Sequence, residues 1–97
     1  MNDLGRIRLH AVIQGHVQGV GFRMFVLQAA QVLSLNGFVR NTWEGDVEVV
    51  AEGEQGKLEL LLADLRNGPR GAHVINVTVR WLEATGEYKR FGMVQTN

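Results

Sequence analysis

Residues 15–23, GHVQGVGFR, place three glycines and an arginine directly ahead of an apolar run with helical spacing. Glycine costs backbone entropy on folding, so a cluster of them implies a need for bare backbone. Anion binding is the chemistry that has that need. Glycines let successive N–H groups converge into a concave nest, and a helix N-terminus just beyond adds a dipole that favours negative charge. Gly15, Gly19 and Gly21 permit such a loop, with Gly19 the position most expected to take a positive φ. Arg23 adds a fixed cationic fork suited to phosphate oxygens. The candidate binding set is therefore the backbone of Gly15, His16, Val17, Gln18, Gly19, Val20 and Gly21, completed by the Arg23 guanidinium.

Other phosphate chemistries fit less well. The spacing G-x-x-x-G-x-G is neither the G-x-G-x-x-G of dinucleotide sites nor a loop followed by G-K-[S/T]. A thiol phosphatase needs a cysteine six residues before the arginine. That position is Val17, and the chain contains no cysteine at all. His10, His16 and His73 are too scattered for a metal set, and His16 reads as a solvent-facing loop residue. Glu44, Asp46, Glu48 and Glu52 read as the solvated face of a hairpin rather than a cation site. No metal site is expected from these residues. For the glycines alone, a plain turn carrying a solvent-facing arginine is the simpler reading, because isolated glycine patterns are weak.

The elements that must position this loop are legible from periodicity. Residues 6–14 alternate through Ile7, Leu9, Ala11 and Ile13, a strand pattern. Residues 22–35 carry Phe22, Phe25, Val26, Ala29, Val32 and Leu33 at helical spacing, with Asn36-Gly37 as the stop. Residues 37–43 and 47–53 form two strands around the Glu44-Gly45-Asp46 turn. Residues 55–66 place Leu58, Leu61, Leu62 and Leu65 on one helical face, and Gly68-Pro69 ends that helix. Residues 72–83, with Val74, Val77, Val79 and Trp81, make a fourth strand. Tyr88, Phe91 and Met93 indicate a short final strand or an ordered tail. The order β-α-β-β-α-β predicts an α+β, ferredoxin-like sandwich: an antiparallel sheet with two helices on one face.

With 97 residues, 45% hydrophobic and 21% charged, the chain suits one globular domain spanning 1–97. Ten basic and ten acidic side chains cancel, so no global positive field exists to hold nucleic acid or an anionic membrane. The lack of cysteine, of a signal-length apolar stretch after MNDLGRIR and of a membrane-length run gives the expectation of a soluble cytoplasmic protein, and nothing in the sequence suggests an obligate dimer.

Two stretches together resemble the signatures of the acylphosphatases. IQGHVQGVGFR (13–23) is similar to the first, and GFVRNTWEGDVEVVAEG (37–53) to the second, with Gly37, Phe38, Asn41, Gly45, Val47 and Gly53 at the family's spacing. The resemblance runs from about residue 6 to the C-terminus, and His16, Gly21 and Trp43 fall where the pattern is permissive. It implies hydrolysis of the carboxyl–phosphate bond of an acyl phosphate without metal or cofactor. It also implies that Arg23 and the loop amides bind the phosphate and that Asn41 positions the attacking water. Without the resemblance, an asparagine in a strand more simply caps a neighbouring backbone group. Trp43 either edges the site or covers the sheet.

Two rivals share the fold. An RNA-recognition module needs stacking aromatics on a central strand, and GDVEVVAEG is acidic and has none. A non-catalytic domain that binds phosphate or carbamoyl phosphate, like those within larger maturation enzymes, would not need both Arg23 and Asn41.

Overall fold

The computed structural model describes residues 5–97; the reading of residues 1–4 lies outside it. The chain runs β1 (Arg6–His16), α1 (Phe22–Val32), β2 (Asn36–Asn41), β3 (Val47–Glu54), α2 (Gln55–Asn67), β4 (His73–Glu83) and β5 (Phe91–Met93). The sheet order is β4-β1-β3-β2-β5. β1 lies antiparallel between β3 and β4, and β3 lies antiparallel to β2. This is the expected ferredoxin-like sandwich with one correction: the sheet is mixed, because β5 runs parallel to β2. The segment 84–90 leaves β4 at one edge and crosses the face opposite the helices. It arrives at β2 travelling in the same direction as that strand.

The core lies between the sheet and the two helices. Leu9, Ala11 and Ile13 of β1 are fully buried, as are Val47, Val49 and Ala51 of β3, one face of each strand as the pleat requires. From above them α1 contributes Phe22, Val26 and Ala30, and α2 contributes Leu58, Leu61 and Leu65. Leu62 packs partly against this core. β4 is an edge strand, so Val74, Val77 and Val79 are only partly covered and Trp81 is 41% exposed.

Helix α1 ends earlier than its apolar spacing predicts, and Val32 faces solvent. The stop is not Asn36-Gly37, which already belongs to β2. Instead Ser34 takes a left-handed conformation (φ 57°), the Ser34 amide donates to the Gln31 carbonyl, and the Leu35 amide donates to the Ala30 carbonyl. These bonds satisfy the last-turn carbonyls in a Schellman arrangement, and Leu35 is buried beside them.

The acidic face of β3 also differs from its expected solvation. Glu52 is completely buried beneath the 84–90 crossing. Its carboxylate accepts from the Thr85 and Gly86 amides (both 2.9 Å), from the Thr85 hydroxyl (3.0 Å) and from Arg8 Nε (2.7 Å). Arg8 also reaches Glu87 at 2.7 Å. Glu48 is half-buried between His10 Nε2 (2.8 Å) and Arg40 Nε (2.7 Å). Strand alternation gives the face of these side chains correctly, but a covering segment from the far end of the chain carries no local signal.

Candidate active site

The loop between β1 and α1 begins where β1 stops pairing regularly. Register slips between Gln14, opposite Asn76, and Gly15, opposite Val74, leaving Ile75 as an extra residue in β4. At this bulge the two backbones approach so closely that a Cβ on Gly15 would collide with the His73 carbonyl oxygen. Gly15 and His16 therefore belong to the strand: the first serves close backbone packing, and the second is exposed opposite His73.

The residues that follow turn the chain into α1. Val17 is buried in the core and Val20 packs partly against it, which pins the loop from below. Gly19 (φ 77°) and Gly21 (φ 78°) are left-handed as well as Gly15, so the positive φ expected chiefly at Gly19 extends to all three. Gly21 is the N-cap of α1 and offers no side-chain cap. By helix geometry the amides of Phe22, Arg23 and Met24 have no partner within the helix. A Cβ on Gly19 or Gly21 would meet nothing within 4 Å, so the space above the loop is open.

Asn41 arrives from the other side, at the end of β2. Its backbone carbonyl accepts from the Asn97 amide (3.1 Å), and Trp43 donates its amide to the Asn97 carbonyl (3.1 Å). Gln18 connects the two halves: Nε2 donates to the carbonyls of Thr42 (2.9 Å) and Asp46 (2.8 Å), in the turn that follows Asn41. The turn is closed by the Thr42 amide on the Asp46 carbonyl (2.9 Å) and the Asp46 amide on the Thr42 hydroxyl (3.1 Å). The Gln18 side chain is thus a fastener between loop and turn.

Between these parts is a cleft of about 140 Å³ lined by Val17, Gly19, Gly21, Phe22, Arg23, Met24, Asn41 and Met93. It brings Arg23 and Asn41, from the two separate sequence stretches, to one opening. Gly15, His16, Gln18 and Val20 do not line it. Among the described residues no carboxylate pairs with Arg23, and the Asn41 side chain caps no backbone group. The cleft walls contain no acidic side chain. Among the described residues no three His, Asp or Glu side chains gather as metal ligands, and no helix is long and apolar enough to cross a membrane.

Sequence reasoning did not find Met24 and Met93 as walls of this cleft. Met93 comes in through the parallel pairing of β5 with β2, seventy residues from the loop, and no local pattern announces that contact. Trp43 is outside the lining and 81% exposed, so it neither edges the cleft nor covers the sheet. A wider depression of about 510 Å³ opens near the start of β1 and the end of β4, and neither Arg23, Asn41 nor any residue of the 15–21 loop lines it.

Residues 9–93 match the profile of the family described as Acylphosphatase. The chain belongs to the acylphosphatase family. A curated acylphosphatase from Caldanaerobacter subterraneus subsp. tengcongensis is 47% identical over 83 residues, 86% of this chain and 92% of that protein. The structure of an acylphosphatase from Coxiella burnetii superposes with a TM-score of 0.90 at 35% identity, covering 97% of this chain and 98% of that one. Full-length HypF, crystallised in a phosphate- and nucleotide-bound form, contains a similar unit. It has a TM-score of 0.85 at 32% identity, over 95% of this chain but only 12% of the HypF chain. The acylphosphatase relatives match nearly end to end, whereas the likeness to HypF concerns one part of a far larger protein.

Proposed function

We propose that the cleft hydrolyses acyl phosphates to a carboxylate and inorganic phosphate, and that Arg23 and Asn41 divide the work. Arg23, with the amides of the 17–21 loop and of the first turn of α1, holds the equatorial oxygens of the phosphoryl group. Asn41 holds the attacking water in line with the scissile P–O bond. The water oxygen bonds to phosphorus, the P–O bond to the acyl group breaks, and its electron pair leaves with the carboxylate. The conjugate acid of that leaving group resembles a glutamic acid side chain, of pKa about 4.3, so it departs without a general acid. Asn41 is not a base near neutral pH, and the water's proton passes to a phosphate oxygen of the substrate. The acid-free walls of the cleft suit a mechanism without metal.

The observation that carries this reading is the meeting of Arg23 and Asn41 in one cleft at an uncapped helix N-terminus. The same reading takes residues 1–97 as a single domain acting as a cytoplasmic monomer on a small molecule, not on nucleic acid. The test is benzoyl phosphate hydrolysis by the purified protein before and after dialysis against chelator. Turnover that survives chelation supports the proposal, and turnover that is lost and then restored by magnesium rejects the metal-free mechanism. Phosphate binding without turnover favours the non-catalytic alternative.

A further inference from the structure

The cleft is small for what it must accept. At about 140 Å³ it falls below the roughly 300 Å³ at which pockets begin to enclose whole small-molecule ligands. It suits a phosphoryl group and leaves the acyl part of the substrate at the mouth. Two methionines help form the walls there. Met24, in the first turn of α1, is 48% exposed, and Met93, in β5, is 39% exposed, yet both line the cleft beside Arg23 and Asn41. Neither belongs to the buried core. Methionine is unbranched and polarizable, and it adapts to apolar partners of varied shape, aromatic rings included.

Resting on the acyl phosphate reading above, we propose that Met24 and Met93 form an apolar platform for the acyl group. Charge and amides hold the phosphoryl group in the same way for every substrate, so discrimination falls to the platform. It favours acyl phosphates with an aromatic or extended alkyl group over acetyl phosphate, whose single methyl reaches little of it. The preference is moderate because both side chains stay partly open to water, and each covers only part of the acyl surface.

The experiment compares kcat/KM for benzoyl phosphate and acetyl phosphate in the wild type and in Met24→Gln, Met93→Gln and Met24→Leu. Intrinsic reactivity differs between the two substrates, but it cancels when their ratio is compared from protein to protein. The benzoyl-to-acetyl ratio should fall about three- to tenfold in each glutamine variant, at or below the range for one apolar contact in a specificity pocket. Leucine at position 24 should restore it. An unchanged ratio in both glutamine variants overturns the platform, as does a leucine variant that loses as much as the glutamine one. A wild-type protein that neither hydrolyses the two acyl phosphates nor binds inorganic phosphate overturns the underlying reading as well.

Discussion

The Gln18 side chain donates to the Thr42 carbonyl at 2.9 Å, one residue beyond Asn41. The loop between β1 and α1 and the strand end bearing Asn41 are therefore held in register by a side chain from within the loop. Gln18→Ala should remove one donor from each of the Thr42 and Asp46 carbonyls, which keep the Gly45 and Thr42 amides, and cost about 1 kcal/mol of stability. It should also loosen the placement of Asn41 relative to the loop. A displacement of an ångström can cost about a hundredfold in rate, so turnover should fall further than phosphate affinity does. Denaturant midpoint, kcat and phosphate inhibition measured on one preparation check this. A variant with full turnover would show that the fastening is dispensable.

Arg23→Ala should damage binding and turnover together. The loss of charge-assisted hydrogen bonds to the phosphoryl group should cost on the order of 3 kcal/mol, about a hundredfold in kcat/KM. Arg23→Lys should recover only part of this, because a point charge does not reproduce the fork. Inorganic phosphate should inhibit the wild type competitively and raise its unfolding midpoint. Unchanged phosphate inhibition in Arg23→Ala would move the anion site elsewhere.

The contrast between these two residues shows what a sequence can carry. The placing of Arg23 beside the glycine loop at a helix start is legible because the glycines, the helix start and the guanidinium all lie within nine residues. The strands and helices were legible because Leu9, Ala11 and Ile13, or Leu58, Leu61 and Leu65, repeat with the period of their element. Gln18 was placed in the loop, but its fastening to Thr42 depends on a turn twenty-four residues away. The cleft contact of Met93 and the burial of Glu52 are not legible in the sequence for the same physical reason. Both depend on where residues 84–93 travel across and beside the sheet, and nothing local encodes that path. Ser34 was missed because a non-glycine residue carries the left-handed cap.

That cap gives a stability prediction. A non-glycine residue in the left-handed region is disfavoured by roughly 1–2 kcal/mol, partly offset in a glycine variant by the greater entropy of its unfolded chain. Ser34→Gly should therefore stabilise the fold by about 0.5 kcal/mol, seen as a higher denaturant midpoint at unchanged slope. A lower midpoint would mean that the serine hydroxyl has a stabilising role the backbone does not reveal.

Glu52 sets the acid behaviour. Burial opposes its ionisation, but the amides of Thr85 and Gly86, the Arg8 guanidinium and the Thr85 hydroxyl outweigh that and hold its carboxyl below the ordinary value. Burial opposes ionisation of Glu48 too, and the hydrogen bonds from His10 and Arg40 lower it in the same way. A depressed folded pKa stabilises the native state above the unfolded value, about 4.3 for glutamate, and that contribution disappears as pH falls through the folded value. Glu52→Gln should cost about 3 kcal/mol near neutral pH, where it leaves Arg8 and the Thr85 and Gly86 amides without their carboxylate. The gap to wild type should narrow as pH drops below about 4.3. A gap independent of pH would mean that packing, not charge, holds the crossing in place.

Asn41→Ala should separate binding from turnover. If Asn41 holds the water, the loop amides and Arg23 still bind the phosphoryl group after the substitution, and inhibition by phosphate should change little. The nucleophile would lose its position, at a cost of about a hundredfold or more in kcat. A group that works chiefly in the transition state lowers kcat and kcat/KM by similar factors. A purely structural asparagine predicts another pattern: a loss of roughly 1 kcal/mol in stability, with activity retained once the protein is folded. The side chain is half-buried, lines the cleft and caps no backbone group among the described residues, so the stability loss should be small. Asn41→Asp adds a second discriminating arm. It keeps the size and one acceptor but places a negative charge beside the phosphate, so phosphate inhibition should weaken along with turnover. A folded Asn41→Ala protein of wild-type activity would remove the water-positioning role, and a loss confined to phosphate binding would reassign Asn41 to holding the phosphoryl group.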